Sequence, residues 1–137
     1  MEFVEINDIL ADAKERLTAY GFELADKDET LLKYALDGVH EQITNATNQA
    51  DIPAGLRYTA CDMVMGGFLQ MLKAFSPDSL KGFDLSIAVK QITAGDTSTT
   101  FAVGEGSSTD EQRLDAVISW FKTHGTGDFA KYRRVCW

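Results

Sequence analysis

The sequence predicts a mainly α-helical protein, a small bundle of about four helices with an inserted β-hairpin and an extended or short-helical C-terminal tail. Three observations predict this fold class. Apolar residues recur every three or four positions up to residue 75 and again after residue 110. Between these two regions the apolar spacing changes to two. The last ten residues follow a Gly-Thr-Gly sequence and are richer in aromatic and basic residues than the rest.

The first two helices are amphipathic. The first is predicted over residues 5–20, and Gly21 follows it as a C-terminal stop. The second is predicted to begin in the acidic run "DKDET", because carboxylates stabilise a helix N-terminus, and to end near residues 45–48. Its apolar stripe consists of Leu32, Ala35, Leu36, Val39, Ile43 and Ala46.

The third helix is predicted to be the most buried. Pro53 suits its first position, and the apolar stripe extends to Phe75, with residues 63–72 apolar nearly all round. Within it, Gly66 and Gly67 each cost about 1 kcal/mol relative to alanine. We therefore expect another helix to pack closely against these two glycines.

A β-hairpin is predicted at about residues 84–104, because β-branched and apolar residues alternate on either side of a turn near residues 94–96. An isolated hairpin is marginally stable in water, and its strand edges are open to pairing. The polar face is most simply solvated, but we expect the hairpin to pack on helices or on another chain. The residues assigned to an inter-subunit contact are Ile92, Asp96, Thr97, Thr99 and Phe101.

The fourth helix begins with a predicted capping box, Ser108 and Glu111, and ends at Gly125 and Gly127. The predicted organisation is a body over residues 1–127 and a tail over residues 128–137, which the glycines allow to point away from the body. Two interpretations of the tail stay open. It is a short helix folded back on the body, with two aromatic rings buried, or it is an interface anchor. The anchor would use Phe129, Tyr132, Arg133, Arg134 and Trp137.

Composition excludes several classes of protein. Thirteen Lys and Arg against 21 Asp and Glu give a formal charge of -8, which disfavours classical DNA binding. Cys61 and Cys136 lie far apart and predict reduced thiols in a cytoplasm, without a disulfide framework or a zinc site. Because no apolar run reaches membrane length, we expect a protein without a membrane anchor.

The sequence predicts no enzyme, because its titratable residues do not form a recognisable catalytic pattern. His40 and His124 are interpreted as surface or boundary histidines, with His124 favourably placed at a helix C-terminus. Cys61 is interpreted as a buried small hydrophobic residue. We therefore expect no catalytic, cofactor-binding or metal-binding residues, and no cofactor.

Three stretches resemble a known family. The run "NQADIPAGLRYTACDMVMGGFLQM", a hairpin containing "ITAGDTSTTF" and the terminal "YRRVCW" are similar to head-tail connector (adaptor) proteins of tailed phages infecting Gram-positive bacteria. The similarity runs from the second half of the second helix to the C-terminus. It implies a structural subunit of the virion neck, assembled in the host bacterial cytoplasm into a ring that usually has twelve copies.

The resemblance also implies partners. The ring docks under the portal protein, the C-terminal segment reaches into the portal, and the far side of the ring receives the next neck protein, the stopper. DNA passes through the lumen without specific binding, and an acidic wall favours such passage. The alternative is a small helical regulatory or packaging factor that contacts nucleic acid through the basic tail, which retention on heparin or DNA would reveal.

Overall fold

Four α-helices make up most of residues 2–22, 24–75 and 110–133, the part of the chain that the computed structural model describes. The predicted hairpin, with its proposed contact residues, lies outside these ranges. Within them the prediction of a mainly helical protein with about four helices is confirmed. The helices are α1, Ile6–Ala19; α2, Asp26–Thr47; α3, Arg57–Phe75; and α4, Asp110–Thr123.

The ends of α1 and α2 follow from their sequences. Gly21 has a φ of 86°, a left-handed conformation that glycine adopts without strain, directly after α1. Asp28 accepts the backbone N–H of Ala25 at 2.9 Å and so caps the start of α2. Asn48 ends α2 with a φ of 54°, within the predicted range.

Helix α3 lies at the centre and contacts each of the other three helices. Every residue from 60 to 66 is buried, so the prediction that this helix is the most buried is confirmed. Two details of the prediction were wrong. Pro53 precedes a 3-10 turn, Ala54–Leu56, and α3 begins only at Arg57. Phe75, predicted on the apolar stripe, is 80% exposed at the C-terminal end of α3.

A third correction concerns the end of α2. Ala46, predicted on the apolar stripe, is exposed, while Thr47 is fully buried. The Thr47 hydroxyl donates a hydrogen bond to the carbonyl oxygen of Ile43 at 2.7 Å, so its burial leaves no unpaired polar atom. A short polar side chain can therefore take a core position that hydrophobic spacing assigns to its neighbour.

Helix α4 runs antiparallel to α3. Asp115, in the first half of α4, pairs with Lys73 near the end of α3, while Phe121 and Lys122 lie over Gly66. A Cβ on Gly67 would lie 3.5 Å from the Cβ of Ala35, on α2. The prediction of a closely packed helix is confirmed at Gly66, whereas α2 lies at an ordinary contact distance from Gly67.

Candidate functional site

The C-terminal segment, which we define as residues 124–133, continues the antiparallel course of α4 along one face of α3 and the turn before it. His124 contacts Asp62, Gly125 faces Thr59, and Tyr132 lies over Gly55. Positions 55, 59 and 62 are four and three residues apart, the spacing of neighbours on one helical face. The segment contains a 3-10 helix, Thr126–Tyr132, that also contacts α2.

Two glycines make this close approach possible. A Cβ on Gly125 would come within 2.5 Å of the Thr59 methyl carbon. A Cβ on Gly55 would overlap the Tyr132 hydroxyl and lie 2.6 Å from the ring carbon that bears it. Just after the end of α2, the Gln49 side-chain amide donates a hydrogen bond to the carbonyl oxygen of Tyr132 at 3.0 Å.

The predicted tail residues fall into different environments. Phe129 is 8% exposed and belongs to the hydrophobic core, and Tyr132 is half-buried beside it. Arg133 is exposed, while Arg134 and Trp137 lie outside the described residues. The expectation that the glycines let the tail point away is wrong for residues 128–133, because Phe129 is buried in the core and Tyr132 lies over Gly55.

A polar network joins α1, α3 and His124, the first residue of this segment. Asp62 is 7% exposed, and one oxygen of its carboxylate accepts a hydrogen bond from Arg16. The other carboxylate oxygen lies 3.0 Å from His124 Nε2. Arg16 also donates to the Tyr20 hydroxyl at 3.0 Å. Burial acts to lower the pKa of Arg16, but the charge of Asp62 and its hydrogen bond outweigh burial and raise it. Arg16 is therefore protonated at neutral pH.

Cys61 lies next to this network and is fully buried. Burial raises the pKa of its thiol to about 11, although the nearby Arg16 acts to lower it. Because the thiolate is the nucleophilic form, a thiol with this pKa is unreactive at neutral pH. These properties fit the interpretation of Cys61 as a small hydrophobic residue.

The other histidine of the chain, His40, also lies beside a carboxylate. His40 Nε2 lies 3.5 Å from an Asp51 carboxylate oxygen, at the boundary between α2 and the loop that follows it. Among residues 2–22, 24–75 and 110–133, no three His, Cys, Asp or Glu side chains are grouped to hold a metal ion. In the same ranges, no helix has the length and apolar character needed to cross a bilayer.

Comparison of the chain with protein-family models, curated proteins and solved structures gives no match. The resemblance to head-tail connectors therefore stays a prediction from the sequence elements. Sequence reasoning missed the polar network altogether. The one signal of this network in the sequence was Asp62, a single carboxylate within the apolar stretch of α3. A buried carboxylate requires cationic partners from elsewhere in the fold.

Proposed function

We propose that this chain is a structural subunit of a phage neck, a head-tail connector that forms a ring below the portal and extends the DNA channel. The observation that carries the proposal is the seating of the C-terminal segment. Phe129 anchors the segment in the core, and Arg133 is exposed where the segment ends beside Gln49 and Gly55. A basic group held on a rigid body is suited to docking, because little entropy is lost on binding.

The distribution of charge supports a conduit. Exposed carboxylates on α1 and α2 include Asp8, Glu15, Asp37 and Glu41. Five cations of the described residues instead pair with carboxylates of the same chain, which lowers the attraction of those five for phosphates. The pairs are Lys14 with Glu29, Arg16 with Asp62, Arg57 with Asp12, Lys73 with Asp115, and Lys131 with Asp128.

In this proposal Arg133, Arg134 and Trp137 dock on the portal. Guanidinium and indole groups are frequent anchors of protein interfaces, and a ring repeats each contact in every subunit. Weak individual contacts then act together at high effective concentration. Phe129 and Tyr132 support the docking residues from the body, and the hairpin residues contact the neighbouring copy.

The test compares the full chain with a variant that lacks residues 134–137. This truncation removes no contact described above, so we expect an unchanged melting temperature by circular dichroism. Co-sedimentation with the portal ring of the same phage should be lost. Arg133→Ala should weaken docking by about 1 to 3 kcal/mol per subunit, whereas Lys131→Ala, which removes an equal charge nearby, should have little effect. Portal binding that survives the truncation would contradict the proposal.

A second measurement separates the conduit from a nucleic-acid-binding factor. The purified chain should pass through heparin and duplex DNA columns at physiological salt, because its net charge of -8 opposes binding to a polyanion. Salt-dependent retention that disappears on removal of residues 134–137 would instead favour a regulatory or packaging factor.

A further inference from the structure

Both ring nitrogens of His124 face hydrogen-bond acceptors. Nε2 lies 3.0 Å from an oxygen of the Asp62 carboxylate, and Nδ1 lies 2.8 Å from the carbonyl oxygen of Trp120. A carbonyl oxygen and an ionised carboxylate accept hydrogen bonds and cannot donate them. A neutral imidazole can donate its single N–H from Nδ1 to the Trp120 carbonyl oxygen. A second proton, on Nε2, makes the ring a cation that forms an ion pair with the Asp62 carboxylate.

The surroundings mostly favour the imidazolium. His124 follows α4, whose C-terminal carbonyl groups stabilise a cation, and its ring stacks on Trp120 at 3.6 Å. The positive charge of Arg16 opposes protonation of His124, because both side chains contact the same Asp62 carboxylate. The ionisable groups nearest to the ring in space or sequence are Asp62 and Cys61 of α3, Arg16 and Tyr20 of α1, Lys122 of α4, and Asp128 of the C-terminal segment.

His124 is the first residue of the C-terminal segment, and its contact with Asp62 lies one turn of α3 from the contact between Gly125 and Thr59. We propose that protonated His124 latches the segment to α3, and that loss of this proton loosens residues 125–133. The latch does not depend on the connector function. It would act in any function that uses the segment.

The sign of the pH dependence follows from the two contacts. In the proposed latch the folded state binds the His124 proton more tightly than the unfolded chain, because only the folded state places the ring beside both the Asp62 carboxylate and the Trp120 carbonyl oxygen. The stabilisation is therefore fully present below about pH 6.5 and is lost as the pH rises through the folded-state pKa. The segment should be held more firmly in mildly acidic solution than in alkaline solution.

The test is an NMR titration of the full chain that follows the Hε1 signals of both histidines. Assignment uses His124→Gln and His40→Gln. We expect His124 to titrate above pH 6.5. Amide hydrogen exchange of residues 126–133, corrected for its intrinsic pH dependence, should lose protection with the same midpoint. The loss should be about tenfold for each unit by which the pKa exceeds its ordinary value.

The two variants serve as matched controls. His124→Gln keeps an amide donor but cannot gain a proton, so the pH dependence of protection should disappear, while His40→Gln should retain it. A His124 pKa at or below 6.5 would overturn the proposal. Protection that stays constant through the titration of His124 would overturn it as well. Both of these outcomes are read from the unmodified chain, so the proposal can be tested even if a variant fails to fold.

Discussion

Gly66 of α3 lies so close to Phe121 of α4 that a Cβ built on the glycine would be 3.0 Å from the Phe121 Cβ. The same Cβ would lie 3.2 Å from the carbonyl oxygen of Ile118, which is backbone and cannot rotate away. The adjacent Gly67 would place its Cβ at an ordinary 3.5 Å from Ala35. Two neighbouring glycines are therefore under different constraints.

The first prediction uses this difference. Gly66→Ala should destabilise the fold by about 1 to 2 kcal/mol, because separating α3 from α4 costs more than alanine gains in helix propensity. Gly67→Ala should instead stabilise it by up to about 1 kcal/mol. Urea denaturation of the two variants measures both effects. Equal stability of the two variants would show that α4 moves away from α3 without cost.

The pair Gly66 and Gly67 also shows what the sequence could predict. Helix periodicity located all four helices, and the cost of a glycine within a helix was enough to predict a close neighbour. The sequence could not predict which helix that neighbour belongs to, since this depends on contacts between residues more than thirty positions apart. Gly125 was misread as a hinge for the same reason, because its partner Thr59 lies on another helix.

A second prediction concerns the seat of the C-terminal segment. Gly55→Ala should displace Tyr132, because the new methyl group would occupy the position of its hydroxyl. We expect a loss of about 1 to 3 kcal/mol, and less additional loss when Gly55→Ala is combined with Tyr132→Ala. A double-mutant cycle by thermal or urea denaturation measures the coupling. Gly127→Ala is the control, since a Cβ there meets no atom within 4 Å. Additive effects of the two changes would contradict the contact.

A third prediction follows from the raised pKa of Cys61. Iodoacetamide at pH 8 should leave Cys61 unmodified in the folded chain and alkylate it in urea, because its thiol is buried and has a pKa of about 11. The stability linked to this group is present below the ordinary pKa of 9.0 and is lost as the pH rises towards 11. Mass spectrometry of a Cys136→Ser variant isolates the Cys61 signal. Rapid alkylation of the folded chain would show that the thiol is accessible.

A fourth prediction compares two ion pairs that differ in burial. Asp62→Asn should destabilise the chain by about 2 kcal/mol, because the half-buried Arg16 would lose its buried countercharge. Asp115→Asn removes a carboxylate whose side chain is 56% exposed and which pairs with Lys73. Its effect should stay below about 1 kcal/mol. Urea denaturation at neutral pH measures both, and similar losses would show that the Asp62 network is solvated like the surface pair.

A fifth prediction compares the loss of a buried phenylalanine ring with the loss of an exposed one. Phe129→Ala removes a ring that is 8% exposed, whereas Phe75→Ala removes one that is 80% exposed. A buried Phe→Ala change costs about 3 kcal/mol, which corresponds to a lower melting temperature by roughly 10 °C for a chain of this size. Phe75→Ala should leave the melting temperature almost unchanged, since its ring is already in water.

The same reasoning changes what truncation of the predicted tail should do. Removal of residues 128–137 takes away Phe129 and the Tyr132 contact, so the body should melt at a lower temperature. Removal of residues 134–137 keeps both and should melt like the full chain. Circular dichroism melting of the two truncations therefore separates the part of the tail that stabilises the fold from the part proposed to dock. Equal melting temperatures for the two would mean that Phe129 contributes nothing to the core, and would contradict its assigned packing.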